Sequence, residues 1–280
     1  MTSAFNIIFN SIKILKSNPR IFITIYGLII FPLSMVLFSL FIISQPIIND
    51  IQEKQMAASG VTPYESLGRL REIRLHSRKL MAIQCLFFFP FYVFSLMALI
   101  TTVNSTSQCY NGKPANPITA LKAVMMTWMR PSVSSIFVCG ILFGCSILTH
   151  VVFLLVDESV LEFWLRFVWV VLEVGLMAVS GMGLVVSVLE ERFGWDAFCV
   201  GWGLMDGKRF SGWSLAGFVY LVTGGIRLGF NHLIDRGDAL AVLGNCLLIC
   251  LLGFVTLSSY VITTVYYNEC KKQHVDRVEI

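Results

Sequence analysis

A single glutamate interrupts the apolar run "VWVVLEVGLMAVSG" at Glu173, and a histidine interrupts "CSILTHVVFLL" at His150. An ionisable group at bilayer depth costs about 2.5–3.5 kcal/mol on insertion scales, so it normally faces a partner or a wet cavity. A carboxylate near an imidazole is proton- or cation-handling chemistry, and a small transporter or channel would use it so. The plainer use is a structural hydrogen bond joining two helices, and that is the expectation for the pair His150 and Glu173. Arg166, two turns before Glu173, competes as its partner.

Other chemistry-bearing patterns are missing. The sequence has no P-loop, no H-E-x-x-H and no nucleophile elbow. Its four histidines (His76, His150, His232, His274) lack ligand spacing, and its eight cysteines form no C-x-x-C pair. No catalytic residue, cofactor or metal is therefore assigned, and the expectation is a protein that is not an enzyme.

The elements that position these residues are membrane spans. Of 280 residues 56% are hydrophobic and only 14% charged, against roughly a quarter charged in soluble domains. Six stretches exceed or approach the ~20 apolar residues a bilayer crossing takes: 21–43, 80–103, 132–155, 164–189, 213–230 and 239–266. The fold class is all-α, one integral membrane domain over residues 1–280. The first span lacks a small-x-small cleavage site and reads as an uncleaved signal-anchor.

With six spans both termini share a side. Twelve Lys/Arg fall on the side of the termini: Lys13, Lys16, Arg20, Lys113, Lys122, Arg130, Arg192, Lys208, Arg209, Lys271, Lys272 and Arg277. The short loops opposite carry one, so the positive-inside rule makes both termini cytosolic. Residues 45–79 dissent, with six Lys/Arg against four acids. Thr62-Pro63-Tyr64-Glu65 reads as a capping box, opening a charged helix that projects outward and merges into the second span.

Three short stripes precede the odd-numbered spans. Phe5, Ile8, Phe9, Ile12 and Leu15 make one, and Ile118, Leu121, Met125 and Trp128 a second, launched by Asn116-Pro117. Trp195, Phe198, Cys199, Trp202 and Met205 make the third. Helical spacing of this kind, followed each time by a basic residue, describes cytosolic amphipathic helices lying in the membrane interface. Trp128, Trp195, Phe198 and Trp202 are the expected interfacial anchors. Gly194 and Gly207 provide turns at the ends of the third helix, and Gly201 and Gly203 keep its upper face thin. Lys208 or Arg209 is expected to neutralise Glu190 and Glu191, Cys270 to be open to palmitoylation, and Gly140 and Gly144 to pack a helix within the monomer.

"NPRIFITIYGLIIFPLS" (residues 18–34) resembles the start of a plant family of uncharacterised six-span transmembrane proteins. "VLEERFGWDAFCVGWGLMDGKRFSG" is similar to a V-x-E-x-x-G-x-x-A…L-x-x-G pattern in the membrane domain of bacterial glycerophosphoryl diester phosphodiesterases, matched by Val188, Glu190, Gly194, Ala197, Leu204 and Gly207. The first resemblance implies a six-span fold. The second carries no activity here, since the soluble barrel with its acidic and His metal ligands is absent. These features together describe a non-enzymatic multi-pass protein of the endomembrane system or plasma membrane that organises lipid or partner proteins. Its one assigned partner is the lipid bilayer, and nucleic acid is not expected.

Overall fold

The computed structural model describes residues 4–58, 63–154, 159–234 and 239–278. Every element among them is helical: α1 (Ala4–Ser17), α2 (Pro19–Ile25), α3 (Phe31–Ala58), α4 (Pro63–Tyr110), α5 (Pro117–Thr127), α6 (Met129–Leu154), α7 (Ser159–Leu189), α8 (Gly194–Leu204), α9 (Arg209–Ile234) and α10 (Ala239–Val278). Six helical stretches are long and apolar enough to cross a membrane: Pro19–Lys54, Arg71–Tyr110, Met129–Leu148, Trp164–Leu189, Arg209–Leu233 and Val242–His274.

The first of these is not a plain α-helix. Pro32 has no N–H to donate and its ring would strike the preceding turn. The chain answers with a π-helical turn over Tyr26–Ile30, in which the Phe31 N–H reaches back to the Tyr26 carbonyl. Such single-turn π insertions absorb a proline while keeping backbone groups paired. Tyr26 is also the span's link to α10, its hydroxyl donating to the Cys250 carbonyl at 2.8 Å.

α3 and α4 form a long hairpin. At 1.5 Å per residue the 48 residues of α4 reach about 72 Å, more than twice the ~30 Å hydrocarbon core. The projecting arms are fastened by polar contacts: Lys54 lies 3.1 Å from Asp50 and 3.4 Å from Glu72, and His76 Nδ1 lies 2.5 Å from Asp50. Thr62 and the side chain of Glu65, on which the capping box rests, lie outside the described residues, although α4 does begin at Pro63.

The core is concentrated toward one end of the bundle, here called the foot, where the C-terminal half of α10 is surrounded. Ile7 of α1, Ile29 and Ile30, Val103 of α4, Met182 and Val186 of α7, Ala197 of α8 and Val261 of α10 share one buried cluster. The opposite half holds only a small one, Ile226, Phe230 and Ile249, backed by Phe38 and Phe41. Gly140 and Gly144 take no part in either. A Cβ on each would meet nothing within 4 Å, so the G-x-x-x-G of α6 faces outward instead of packing within the monomer. Small residues elsewhere do bring helices together, two of them on α7: a Cβ at Gly175 would stand 3.1 Å from the Trp213 ring, and one at Gly183 3.2 Å from the Phe198 backbone.

Candidate functional site

At the foot, α7 ends in Glu190 and Glu191, carboxylates at the negative end of a helix dipole. Each needs a cation. Glu190 Oε1 accepts from Tyr267 Oη at 2.5 Å and from Lys271 Nζ at 2.8 Å, and Glu191 pairs with Arg130 at 3.2 Å. The expected partners, Lys208 and Arg209, are engaged elsewhere. Lys208 Nζ donates to the Glu269 carbonyl at 3.5 Å, while Arg209 pairs with Asp206 at 3.4 Å and lies over the Trp202 ring at 4.5 Å. The reason is the reach of α10, whose last turns run beside the end of α7. Burial pushes the Glu190 carboxyl up, but donation from Lys271 and Tyr267, with Arg192 nearby, outweighs it and holds the group below the usual carboxylate range. Two further bonds complete this collar: Tyr110 Oη donates to Glu269 Oε1 and Tyr266 Oη to the Lys208 carbonyl, both at 2.9 Å. Cys270 is enclosed by it, only 2% exposed, which removes the expected site of palmitoylation from reach.

The three short helices gather at this foot. Each turns a narrow face inward: Ile7 and Ser11 of α1, Ala120 of α5, and Ala197 and Gly201 of α8, with Met205 just after it, are buried. Each leaves large apolar side chains outside. Phe5, Phe9 and Ile12 are exposed on α1, and Ile118 and Met125 on α5, with Trp128 at its end. On α8 Trp195 is 62% and Trp202 43% exposed. Phe198 is half-buried, stacked on Trp195 and edge-on to Phe137. Two details depart from the spacing. Met205 leaves the exposed stripe for the core, and Gly201 is on the inner face, where a Cβ would lie 2.9 Å from the Gly183 amide nitrogen. The turns fall at Gly194 (φ +61°) and Gly207 (φ +81°), left-handed conformations that favour glycine.

A cavity of about 630 Å³ opens higher in the bundle, walled by α7, α9 and α10 and touched by Leu99 of α4 and Leu142 of α6. Most of its wall is hydrocarbon, but Glu173, Ser180, Tyr220 and Arg227 line it. Glu173 also lines an adjoining cavity of about 340 Å³ between α6 and α7. Among the described residues the Glu173 carboxylate accepts no hydrogen bond and pairs with no cation. The side chain of His150 lies outside the described residues, so the expected pair is not described. Ser180 is 4% exposed and its Oγ has no partner among the described residues. An orphaned buried hydroxyl costs about 1–3 kcal/mol, which a ligand or a water would recover.

Arg227 is a member of this site that motif and spacing do not single out. Its signal is present in "VTGGIRLGF", an arginine inside the fifth span, but close enough to the end of that apolar run to resemble ordinary flanking charge. No group of three or more His, Cys, Asp or Glu that could hold a metal occurs among the described residues.

A family model described as "Domain of unknown function (DUF8558)" matches residues 1–280. The chain belongs to that family. The match runs from α1 to the end of α10, so the family unit includes the short foot helices as well as the six spans. No curated protein and no solved structure matches the chain.

Proposed function

We propose that this is a non-enzymatic multi-pass membrane protein that organises lipid in the cytosolic leaflet. The observation that carries it is the set of large apolar side chains left exposed on three short helices at one end of the bundle: Phe5, Phe9 and Ile12, then Ile118 and Met125, then Trp195 and Trp202. Such helices, apolar outside and polar along the edges, lie in the interface with their apolar side in the acyl boundary. Three of them around one foot occupy area in one leaflet only, which favours bent bilayer. The basic residues beside them support a cytosolic foot with both termini cytosolic, in the endomembrane system or the plasma membrane.

The test is reconstitution of the full chain into giant vesicles. The wild type should draw tubules, and a Phe9→Asp/Met125→Asp/Trp202→Asp variant, inserted to the same level, should not. Equal tubulation by both overturns the reading. Digestion of the tail by protease added to the cytosolic side should proceed, and protection of the tail overturns the orientation.

A cavity reaching Glu173 favours a second reading, a small transporter or channel that uses Glu173 and His150. Loss of a measured ion or solute flux in Glu173→Gln, at normal abundance, would select it.

A further inference from the structure

The walls of the larger cavity differ along their length. Toward the foot it is lined by Leu184, Val185, Leu215 and Ile262. At the other end it is lined by a carboxyl and a guanidinium, those of half-buried Glu173 and exposed Arg227, each without a hydrogen bond or ion pair among the described residues. Glu173 lies nine residues past Trp164 on α7, about 14 Å along the axis, and Arg227 six residues before Leu233 on α9, about 9 Å. The two stand at similar depth. A ligand with one charge would leave the other group unpaired within a membrane span, so the complement of this cavity carries both. Ser180 is two turns below Glu173 on the same helix face, about 10 Å nearer the foot, with its unpartnered hydroxyl buried in the cavity wall.

We infer that the cavity binds one lipid with a zwitterionic headgroup. Its ammonium sits on the Glu173 carboxylate and its phosphate on the Arg227 guanidinium, for which a planar donor fork is well shaped. The headgroup then lies across the bundle, a chain ester carbonyl accepts from Ser180, and the chain runs down the apolar wall toward Leu215 and Ile262. The cavity volume is within the ~300–1,000 Å³ of ligand sites that join an apolar wall to a few polar groups. This site is independent of the foot helices and needs only the three spans that wall it.

The experiment uses the purified full chain in maltoside detergent and titrates three probes, following intrinsic tryptophan fluorescence and adducts in native mass spectra. They are dihexanoyl phosphatidylethanolamine, dihexanoyl phosphatidic acid, which lacks the amine, and phosphoethanolamine, which lacks the chains. The wild type should bind the first at least tenfold more tightly than either of the others. Glu173→Gln should abolish the preference over phosphatidic acid, Arg227→Gln should weaken both lipids about tenfold, and Ser180→Ala should weaken them a few-fold. Equal binding of the two lipids by the wild type overturns the proposal without any variant. So does an intact preference in a Glu173→Gln protein that elutes as a single folded species. Equal affinity for phosphoethanolamine overturns a lipid in favour of a free solute. Tubulation and this binding series fail separately, so each reading is tested on its own.

Discussion

Two carboxylates on the α7 segment, seventeen residues apart, meet opposite surroundings. Glu190 at the foot receives a tyrosine hydroxyl and a lysine ammonium from α10, while Glu173 at mid-bundle receives nothing among the described residues and opens on a cavity. The difference is one of supply. The foot brings several chain segments around the end of α10, with Tyr110, Glu190 and Lys208 all bonded to it. Around Glu173 the described residues that line the two cavities are mostly apolar side chains and hydroxyls, with the Arg227 guanidinium on the larger one. A buried polar group that is fully met holds a fold in one arrangement; the half-buried, unmet Glu173 is the observation from which the lipid site is inferred.

The comparison breaks most severely if the foot loosens. Gly201→Leu forces a branched side chain into the 2.9 Å gap at the Gly183 backbone, which cannot move without separating α8 from α7. A loss of about 3 kcal/mol, the upper end for overpacking, should appear in thermal unfolding in detergent. Gly203→Ala, with nothing within 4 Å of its Cβ, should be stabilising by up to about 1 kcal/mol through helix propensity. If both variants behaved alike, the close packing of α7 on α8 would be wrong.

A smaller effect separates the carboxylates directly. Glu190→Gln keeps an acceptor for Tyr267 but loses the ion pair, and should cost about 1–1.5 kcal/mol. Glu173→Gln disturbs no bond of the described residues and should remain within about 0.5 kcal/mol of wild type. Equal destabilisation would mean that Glu173 is a structural group after all. Acid provides a milder probe of the same contrast. Because the folded-state pKa of Glu190 is lowered, its contribution is complete above the unfolded carboxylate value of about 4.3. It should be lost as the pH falls from there through the lower folded value. Unfolding temperatures of wild type and Glu190→Gln should converge in that acid range; a constant gap down to it removes the ionised carboxylate from the account.

The six spans are legible because hydrocarbon length is a property of the sequence alone. So are the three short helices, the Asn116 cap, whose side chain accepts from the Ile118 amide, and the turns at Gly194 and Gly207. What periodicity does not supply is which neighbour each stripe meets. Met205 shares a helical spacing with Trp202 yet is buried at the end of α8, and Gly201 reads as a thin outer face until α7 is seen against it. The cations at Glu190 and Glu191 escape the sequence for the same reason: Lys208 is nearer along the chain, Lys271 nearer in space. Asn104-Ser105-Thr106, which fits the N-x-S/T glycosylation pattern, shows the limit from another side. Ser105 and Thr106 are buried, so packing alone would keep Asn104 unmodified, and finding it so would say nothing of which side it faces.

The finest contrast is between two tryptophans. Trp213 lies with its ring against Gly175 in the bundle, whereas Trp202 points away from it beneath the Arg209 guanidinium. If α8 lies flat in the cytosolic leaflet, the Trp202 ring sits at headgroup level, where an indole keeps its N–H wet and its face in hydrocarbon. In a variant retaining only Trp202 of the six tryptophans, quenchers placed near the headgroups should act more strongly than those at the bilayer centre. Trp202→Asp should release the outer edge of α8 while leaving Ala197 and Gly201 against α7, and so should destabilise less than Gly201→Leu. Quenching confined to the bilayer centre would make residues 194–204 a re-entrant segment. Helical backbone at that depth would then extend the cavity wall toward the foot, which would favour the transporter reading.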